Sequence, residues 1–139
     1  MARVVIDTNV LISALINSGK SRKLVLKLLE EHTVILSSQI LAELADVISR
    51  DKFSVTSSQV DRFISILVKK ATIVSVHSIP KVILEDPDDD VVISTAFMGK
   101  AEYIVSGDKH LLKIAYYKKT QIVSVNHFIQ IIANRKGIS

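Results

Sequence analysis

Short runs of Val and Ile alternate with segments of helical periodicity along this chain, and this alternation is the strongest constraint on its fold. Most of the runs are almost continuously β-branched, which is typical of strands that are buried on both faces. Strands separated by helices predict an α/β fold with a parallel sheet of about five strands, covered on both sides. The strand candidates are Arg3–Ile6, Val34–Leu36, Ile73–Val76, Tyr103–Val105 and Gln121–Val123.

Apolar residues at helical spacing fill the segments between these runs. Pro87 suits the first turn of a helix over Asp88–Lys100, and a last helix is predicted over Asn126–Asn134. No repeat or linker divides the 139 residues, so we expect a single domain over residues 1–139. The clearest helical stripe comprises Val60, Phe63, Ile64, Leu67 and Val68.

The composition excludes several classes of protein. Cysteine is absent, which excludes a disulfide framework, a thiol nucleophile and a cysteine-ligated metal. The mean hydropathy of +0.35 is high, yet no uninterrupted apolar run approaches the roughly 20 residues of a membrane span. Asp7 also interrupts the apolar N-terminal run, which argues against a signal peptide. These observations predict a cytoplasmic protein.

The charges are distributed unevenly along the chain. There are 18 Lys and Arg residues against 14 Asp and Glu residues, and five of those acids fall within residues 85–90. The rest of the chain is therefore strongly basic, which is compatible with a polyanionic partner such as a nucleic acid. The same excess of lysine is also compatible with a surface that only promotes solubility, and charge alone leaves both interpretations open.

Acidic residues occur where a parallel sheet places its ligands. Asp7 directly follows the first predicted strand, and Asp108 follows the fourth. Glu43 lies in the helix after the second strand, and Asp88–Asp90 open the helix before the fourth. The carboxyl ends of parallel strands meet at one edge of the sheet, and ligands bind there. We therefore expect these acids to line a common cleft.

Several carboxylates in one cleft repel each other, and a divalent cation relieves that repulsion. With oxygen ligands only, the site favours Mg²⁺ or Mn²⁺ over zinc. Each acid also has a purely structural interpretation. Asp7 and Asp108 are placed to cap helices, Asp88–Asp90 are placed to complement a helix dipole, and Glu43 could be an exposed helix residue.

Two competing motifs are incomplete. Gly19, Lys20 and Ser21 resemble the end of a phosphate-binding P-loop, but the glycine required at position 14 is Ala14. A phosphatase with an aspartyl nucleophile at Asp7 would need a second acid two residues later, where this chain has Asn9. The four histidines show no metal-binding spacing.

Four blocks of the sequence, taken in order, resemble the PIN-domain ribonucleases. The resemblance spans essentially the whole chain and is closest to stand-alone PIN proteins that are grouped with the VapC-type toxins of toxin–antitoxin pairs. It implies a three-layer α/β/α sandwich and a Mg²⁺- or Mn²⁺-dependent endoribonuclease. The four blocks are Val4–Leu11, Ser38–Leu44, Asp86–Ala96 and Ala101–Leu112.

The resemblance also assigns roles to individual residues. The acids that would bind metal and carry catalysis are Asp7, Glu43, Asp90 and Asp108. Asp89 is a reserve metal ligand, because it shares a helical stripe with the apolar residues that follow it.

Polar and basic neighbours complete the implied site. Thr8, Asn9 and Ser106 would orient the acids, and Lys20, Arg22 and Lys109 are candidates to contact RNA phosphates. The implied partners are an RNA substrate, a protein antitoxin and a second copy of the chain in a homodimer.

Three other functions remain open at this level. The chain could be another metal-dependent phosphatase, a module that holds RNA without cutting it, or a pure interaction partner with an apolar surface. The complete set of four acids argues against a non-catalytic RNA-binding module.

Overall fold

The computed structural model describes residues 1–51, 53–76 and 87–138, except for the side chains of residues 87–89 and 136–138. The strands are β1 (Arg3–Ile6), β2 (Thr33–Ser37), β3 (Thr72–Val74), β4 (Tyr103–Val105), β5 (Tyr116–Tyr117) and β6 (Thr120–Val123). The helices are α1 (Thr8–Ile16), α2 (Lys20–Glu31), α3 (Ser38–Arg50), α4 (Ser57–Lys70), α5 (Pro87–Met98), α6 (Lys109–Ile114) and α7 (Val125–Ile138).

The strands form one sheet in the order β3-β2-β1-β4-β6-β5, flanked by helices. All neighbouring pairs are parallel except β5 and β6, which are antiparallel. The predicted α/β fold with a central parallel sheet is therefore confirmed. The predicted count of about five strands is one too few, because the two-residue edge strand β5 has no apolar pattern of its own.

The core centres on β1, the middle of the sheet. Its residues Val4, Val5 and Ile6 are completely buried, as are Ile35 on β2 and Ile104 on β4. Fully buried Val and Ile side chains are expected where helices cover both faces of a parallel sheet. The near-continuous Val and Ile runs of the sequence are therefore explained by burial on two sides.

Helix α5 runs antiparallel to the strands and brings its start to their carboxyl edge. The guanidinium of Arg3, at the start of β1, donates to the carbonyl oxygen of Gly99 from Nε at 3.0 Å and from Nη2 at 2.8 Å. The end of α5 therefore lies at the amino edge of the sheet. Its first turn, which contains Asp90, lies at the opposite edge.

This helix ends at Met98, two residues earlier than the sequence predicts. A Cβ atom at Gly99 would lie 2.6 Å from Cγ2 of Ile35, so only glycine fits against the sheet there. Lys100 then adopts a positive φ of 54°, which takes the chain out of the helix and into β4. The last helix, α7, is longer than predicted at both ends. Within the described ranges, none of the helices is long and apolar enough to cross a membrane.

Candidate active site

Hydrogen bonds to both of its oxygens fix the carboxylate of Asp7. Asp7 follows β1 directly, is only 6% exposed, and is the N-cap of α1. Its Oδ1 accepts from the backbone N–H of Thr8 at 2.7 Å. Its Oδ2 accepts from Oγ of Ser106 at 2.7 Å and from Nδ2 of Asn9 at 3.2 Å. Hydrogen bonds to the charged form of a carboxylate favour that form and fix its orientation.

Ser106 connects Asp7 to Asp108. The Ser106 hydroxyl is fully buried, donates to Asp7, and accepts from the backbone N–H of Asp108 at 2.9 Å. Oδ1 of Asp108 in turn accepts from the backbone N–H of His110 at 2.7 Å and caps α6. The turns after β1 and β4 are therefore joined through one serine.

Asn9 makes a second link between the same two turns. Its Nδ2 donates to Asp7, and its Oδ1 accepts from the backbone N–H of Gly107 at 3.1 Å. A Cβ atom at Gly107 would lie 3.6 Å from this Asn9 oxygen, so the turn packs closely against the amide. Both Asn9 and Ser106 thus hold the positions of two acids relative to each other.

Glu43 lies in the second turn of α3 and points toward the start of α1. The hydroxyl of Thr8 donates to Oε2 of Glu43 over 3.5 Å, which is a long hydrogen bond. Because Thr8 directly follows Asp7, this contact places Glu43 beside the same turn. Glu43 as a whole is half-buried.

Asp90 lies in the first turn of α5, at the carboxyl edge of the sheet, and is 5% exposed. Its burial matches that of Asp7, whereas most aspartates lie at protein surfaces. The side chains of Asp88 and Asp89 lie outside the described part of the structure. The choice between Asp89 and Asp90 as a ligand therefore stays a prediction, with burial observed for Asp90.

The acids are gathered at one edge but do not form a closed cage. In the part of the chain that the structure describes, no group of three or more His, Asp or Glu side chains is arranged to hold a metal ion. Mg²⁺ typically keeps several waters and uses one or two carboxylates, so a closed cage is not required. The candidate ligands all bind through oxygen atoms. Two of these residues, Asp7 and Asp90, are buried, and this set of ligands fits Mg²⁺ or Mn²⁺.

Two buried polar residues that the sequence pattern did not single out, Ser37 and Thr95, also lie near this edge of the sheet. Ser37 ends β2 and caps α3 by accepting from the backbone N–H of Ile40 at 3.1 Å. The hydroxyls of Thr95 in α5 and Ser37 share a hydrogen bond of 2.9 Å, and Thr95 donates its own proton to the carbonyl oxygen of Val91 at 2.7 Å. Ser37 lies at the carboxyl end of a buried strand, one position earlier than Asp7 lies relative to β1, and that position was the available signal in the sequence.

Ser94 is a further buried polar residue, one turn after Asp90 in α5. It is 1% exposed, and within the described residues its hydroxyl is the one buried side-chain polar atom that has no hydrogen-bond partner. An unsatisfied buried hydroxyl is unfavourable, and nothing in the sequence pattern predicted it.

The three basic residues predicted to contact RNA have different surroundings. Lys109 is exposed and directly follows Asp108. Lys20 is exposed and donates to Oδ1 of Asn126 at 3.3 Å, near the start of α7. The guanidinium of Arg22 donates to the carbonyl oxygens of residues 14 and 15, each at 2.8 Å, and so stabilises the end of α1. Lys20 and Lys109 are therefore exposed near the carboxyl edge of the sheet, whereas the guanidinium of Arg22 is bound to the end of α1.

Comparisons with known proteins identify the family. A family model described as the PIN domain matches residues 3–110. The uncharacterized protein MJ1680 of Methanocaldococcus jannaschii is 34% identical over 117 residues, which cover 81% of this chain and 74% of that protein.

A solved structure shows the same fold. A chain in the crystal structure of VapBC2 from Rickettsia felis, bound to a DNA fragment from their promoter, matches with a TM-score of 0.65 and 16% identity. The match covers 88% of this chain and 98% of that one, and at this identity it demonstrates a shared fold. Because the family model spans well over half of the 139 residues, this chain belongs to the PIN domain family of nucleases, which generally use divalent metal ions.

Proposed function

We propose that this protein is a Mg²⁺- or Mn²⁺-dependent endoribonuclease that acts as the toxin of a toxin–antitoxin pair. The observation that carries the proposal is the linkage of Asp7 to Asp108 through Ser106, which fixes two acids from different strands at one edge. Burying a carboxylate costs free energy that the three hydrogen bonds to Asp7 only partly offset, and a bound cation would offset more of it. Membership of the PIN domain family supports hydrolysis of a nucleic acid.

The residues that would hold the metal are Asp7 and Asp90, assisted by Asp108 and Glu43, with Asp89 in reserve. When bound, the ion neutralises charge on the phosphoryl oxygens and makes a water more acidic. Asp7 keeps its orientation because donors on two sides fix both of its oxygens.

Other side chains of this chain serve the substrate. Glu43 is half-buried beside the turn of Asp7 and would accept a proton from a water molecule that attacks phosphorus. Lys109 and Lys20 are exposed near the same edge and would attract the phosphates of RNA, with Arg22 as the weakest of the three candidates. Hydrolysis would leave a 5′-phosphate and a 3′-hydroxyl.

The same proposal includes the partners and the setting. The structural neighbour from Rickettsia felis is a VapBC assembly, which supports a protein antitoxin as the partner of this chain. We further propose a homodimer, a single PIN-like domain over residues 1–139 and a cytoplasmic location. Light scattering of the purified protein at several concentrations tests the homodimer.

The experiment for the activity is cleavage of a labelled RNA pool in Mg²⁺, Mn²⁺ or EDTA. The variants are Asp7→Asn, Asp90→Asn and Glu43→Gln, and Asp46→Asn is the matched control because Asp46 is exposed on the same helix as Glu43. We expect metal-dependent cleavage by the parent and by the control. Loss of a metal-bound carboxylate should lower the rate by at least about a hundredfold, or roughly 2.7 kcal/mol of barrier.

Two further measurements separate the possible failures. Titration with Mn²⁺, followed by its paramagnetic signal, reports metal affinity without depending on cleavage. Hydrolysis of p-nitrophenyl phosphate in the absence of RNA cleavage would favour a phosphatase. Equal activity of the Asp7→Asn variant and the parent would refute the assignment of the site.

A further inference from the structure

A groove between α2 and α7 lies outside the acidic site. One wall is formed by lysines of α2, and the floor is formed by aliphatic side chains of both helices. We call it the lysine groove. Its volume is about 370 Å³, within the range of about 300–1,000 Å³ that is usual for ligand sites. Its lining residues are Lys20, Lys23, Leu24, Lys27, Ile129, Ile132 and Ala133.

The floor of the lysine groove favours a protein partner over a nucleic acid. Its residues are Leu24, Ile129, Ile132 and Ala133, all of them aliphatic. Proteins that bind single-stranded nucleic acids generally stack bases on aromatic side chains, and none lines this groove. An apolar centre with a charged rim is instead the usual composition of a protein–protein contact.

The lysines are placed against the electrostatic preference of their own helix. Lys20 and Lys23 lie in the first turn of α2, where the helix dipole favours acids, and that turn contains no acid. The N-cap, Gly19, provides no side-chain hydrogen bond. Among the described residues, no carboxylate lies within ion-pair distance of Lys20 or Lys23, and Lys27 is 3.9 Å from Glu31.

The spacing of the lysines matches the spacing of a second helix. They occur at positions i, i+3 and i+7, so they form one stripe about 10 Å long on α2. A partner helix with acids at similar spacing would face all three ammonium groups. The aliphatic residues of that partner helix, on the neighbouring face of the helix, would contact the aliphatic floor of the groove.

We propose that the lysine groove binds an acidic amphipathic helix of a partner protein. Lys20 reaches Asn126 at the start of α7, so one end of the groove lies at the carboxyl edge of the sheet. A helix bound in this end of the lysine groove would cover Lys20. On the proposed ribonuclease function, the partner would then hinder the approach of RNA. Binding itself requires neither metal nor catalysis.

The test is selection from a displayed library of helical peptides of about 20 residues, carried out in EDTA. Clones are selected on the parent protein and subtracted against the double variant Lys20→Glu/Lys23→Glu. The control is Lys69→Glu/Lys70→Glu, which changes two exposed lysines of α4 and gives the same net charge. A further variant, Ala133→Arg, narrows the groove from the exposed side of α7 while adding positive charge.

We expect surviving clones to combine Leu or Ile with Asp or Glu at helical spacing. Synthetic copies should bind the parent and the Lys69/Lys70 control alike. They should bind at least about tenfold more weakly to the Lys20/Lys23 variant and to the Ala133 variant. Survival of no clone, survival of clones without acids, or unchanged binding to the Ala133 variant would overturn the proposal.

A short labelled single-stranded RNA provides the competing outcome in the same buffer. If the Lys20/Lys23 variant loses RNA affinity, the Ala133→Arg variant gains it and no peptide survives, the groove is an RNA track and the proposal is wrong. Because every measurement is made without metal, these results do not depend on whether the protein cleaves RNA.

Discussion

Replacing Ser106 with alanine should destabilise the fold and weaken the candidate metal site together. The hydroxyl donates to Asp7 at 2.7 Å and accepts from the backbone N–H of Asp108 at 2.9 Å. A hydrogen bond to a charged group contributes about 1.5–3 kcal/mol, and a neutral one about 0.5–1.5 kcal/mol. Asp7 keeps its donors from Thr8 and Asn9. We therefore expect the free energy of unfolding to fall by about 2–3 kcal/mol, near the lower end of the sum of these two contributions.

Urea unfolding in EDTA, followed by far-ultraviolet circular dichroism, measures this loss. The slope of the unfolding free energy against urea concentration should be unchanged, because the variant alters one buried group and not the surface exposed on unfolding. The same substitution is then made in an Asp7→Ala background. With the charged acceptor removed, the cost of Ser106→Ala should fall by about 1–2 kcal/mol.

A Mn²⁺ titration measures the second effect of the Ser106 variant. Loss of a residue that orients a metal ligand typically lowers metal affinity about 10–100-fold. A loss of stability below about 0.5 kcal/mol, together with additive effects of the Ser106 and Asp7 substitutions, would refute the network as the device that fixes Asp7. Reduced stability with unchanged Mn²⁺ affinity would restrict Ser106 to a structural role.

Three further predictions concern residues outside this network. Ser94→Ala removes an unsatisfied buried hydroxyl, so the free energy of unfolding should stay constant or rise by up to about 1 kcal/mol; a clear loss in urea unfolding would reveal a hidden partner. Gly99→Ala should cost about 1–3 kcal/mol in the same assay, because the added methyl would lie 2.6 Å from Ile35, and an unchanged midpoint would contradict this. Burial lowers the pKa of His32 below its ordinary value of 6.5, helped by the N-terminal ammonium, and its Nδ1 accepts from the N–H of Ala2. The unfolded chain therefore binds this proton more readily, so the contribution of His32 to stability is present above pH 6.5 and is lost as the pH falls through the lowered pKa. His32→Asn keeps an acceptor that does not titrate, and its melting temperature should depend less on pH between about 7.5 and 5.5 than that of the parent; equal dependence would exclude His32 as the cause.

The sheet was predictable from sequence because burial on two faces leaves a direct trace in composition. Val4, Val5 and Ile6 have no exposed side, so each position of β1 is apolar and the run is continuous. The edge strand β5 leaves no such trace. It is two residues long, its residue Tyr116 is exposed, and its pairing depends on the turn in which Lys118 adopts a positive φ of 53°.

The ends of the helices were less predictable, because tertiary contacts decide them. Gly99 is a local signal that α5 ends nearby, but it does not by itself fix the last helical residue. In the structure Gly99 lies against Ile35 of a strand distant in sequence, and Lys100 leaves the helix with a positive φ of 54°. The sequence also does not determine where a long side chain points. Arg22 is an example, because its guanidinium binds the end of α1 and not the candidate active site.

On the sequence alone, capping and metal binding are alternative roles for Asp7 and Asp108, but in the structure the two roles are compatible. Each residue caps a helix with Oδ1, through the N–H of Thr8 in one case and of His110 in the other. A carboxylate has about four acceptor positions, so capping leaves others for a ligand. The caps fix the two carboxylates in position, which is the preorganisation that a metal site requires. A capping position after a buried parallel strand is therefore compatible with such a site and does not argue against it.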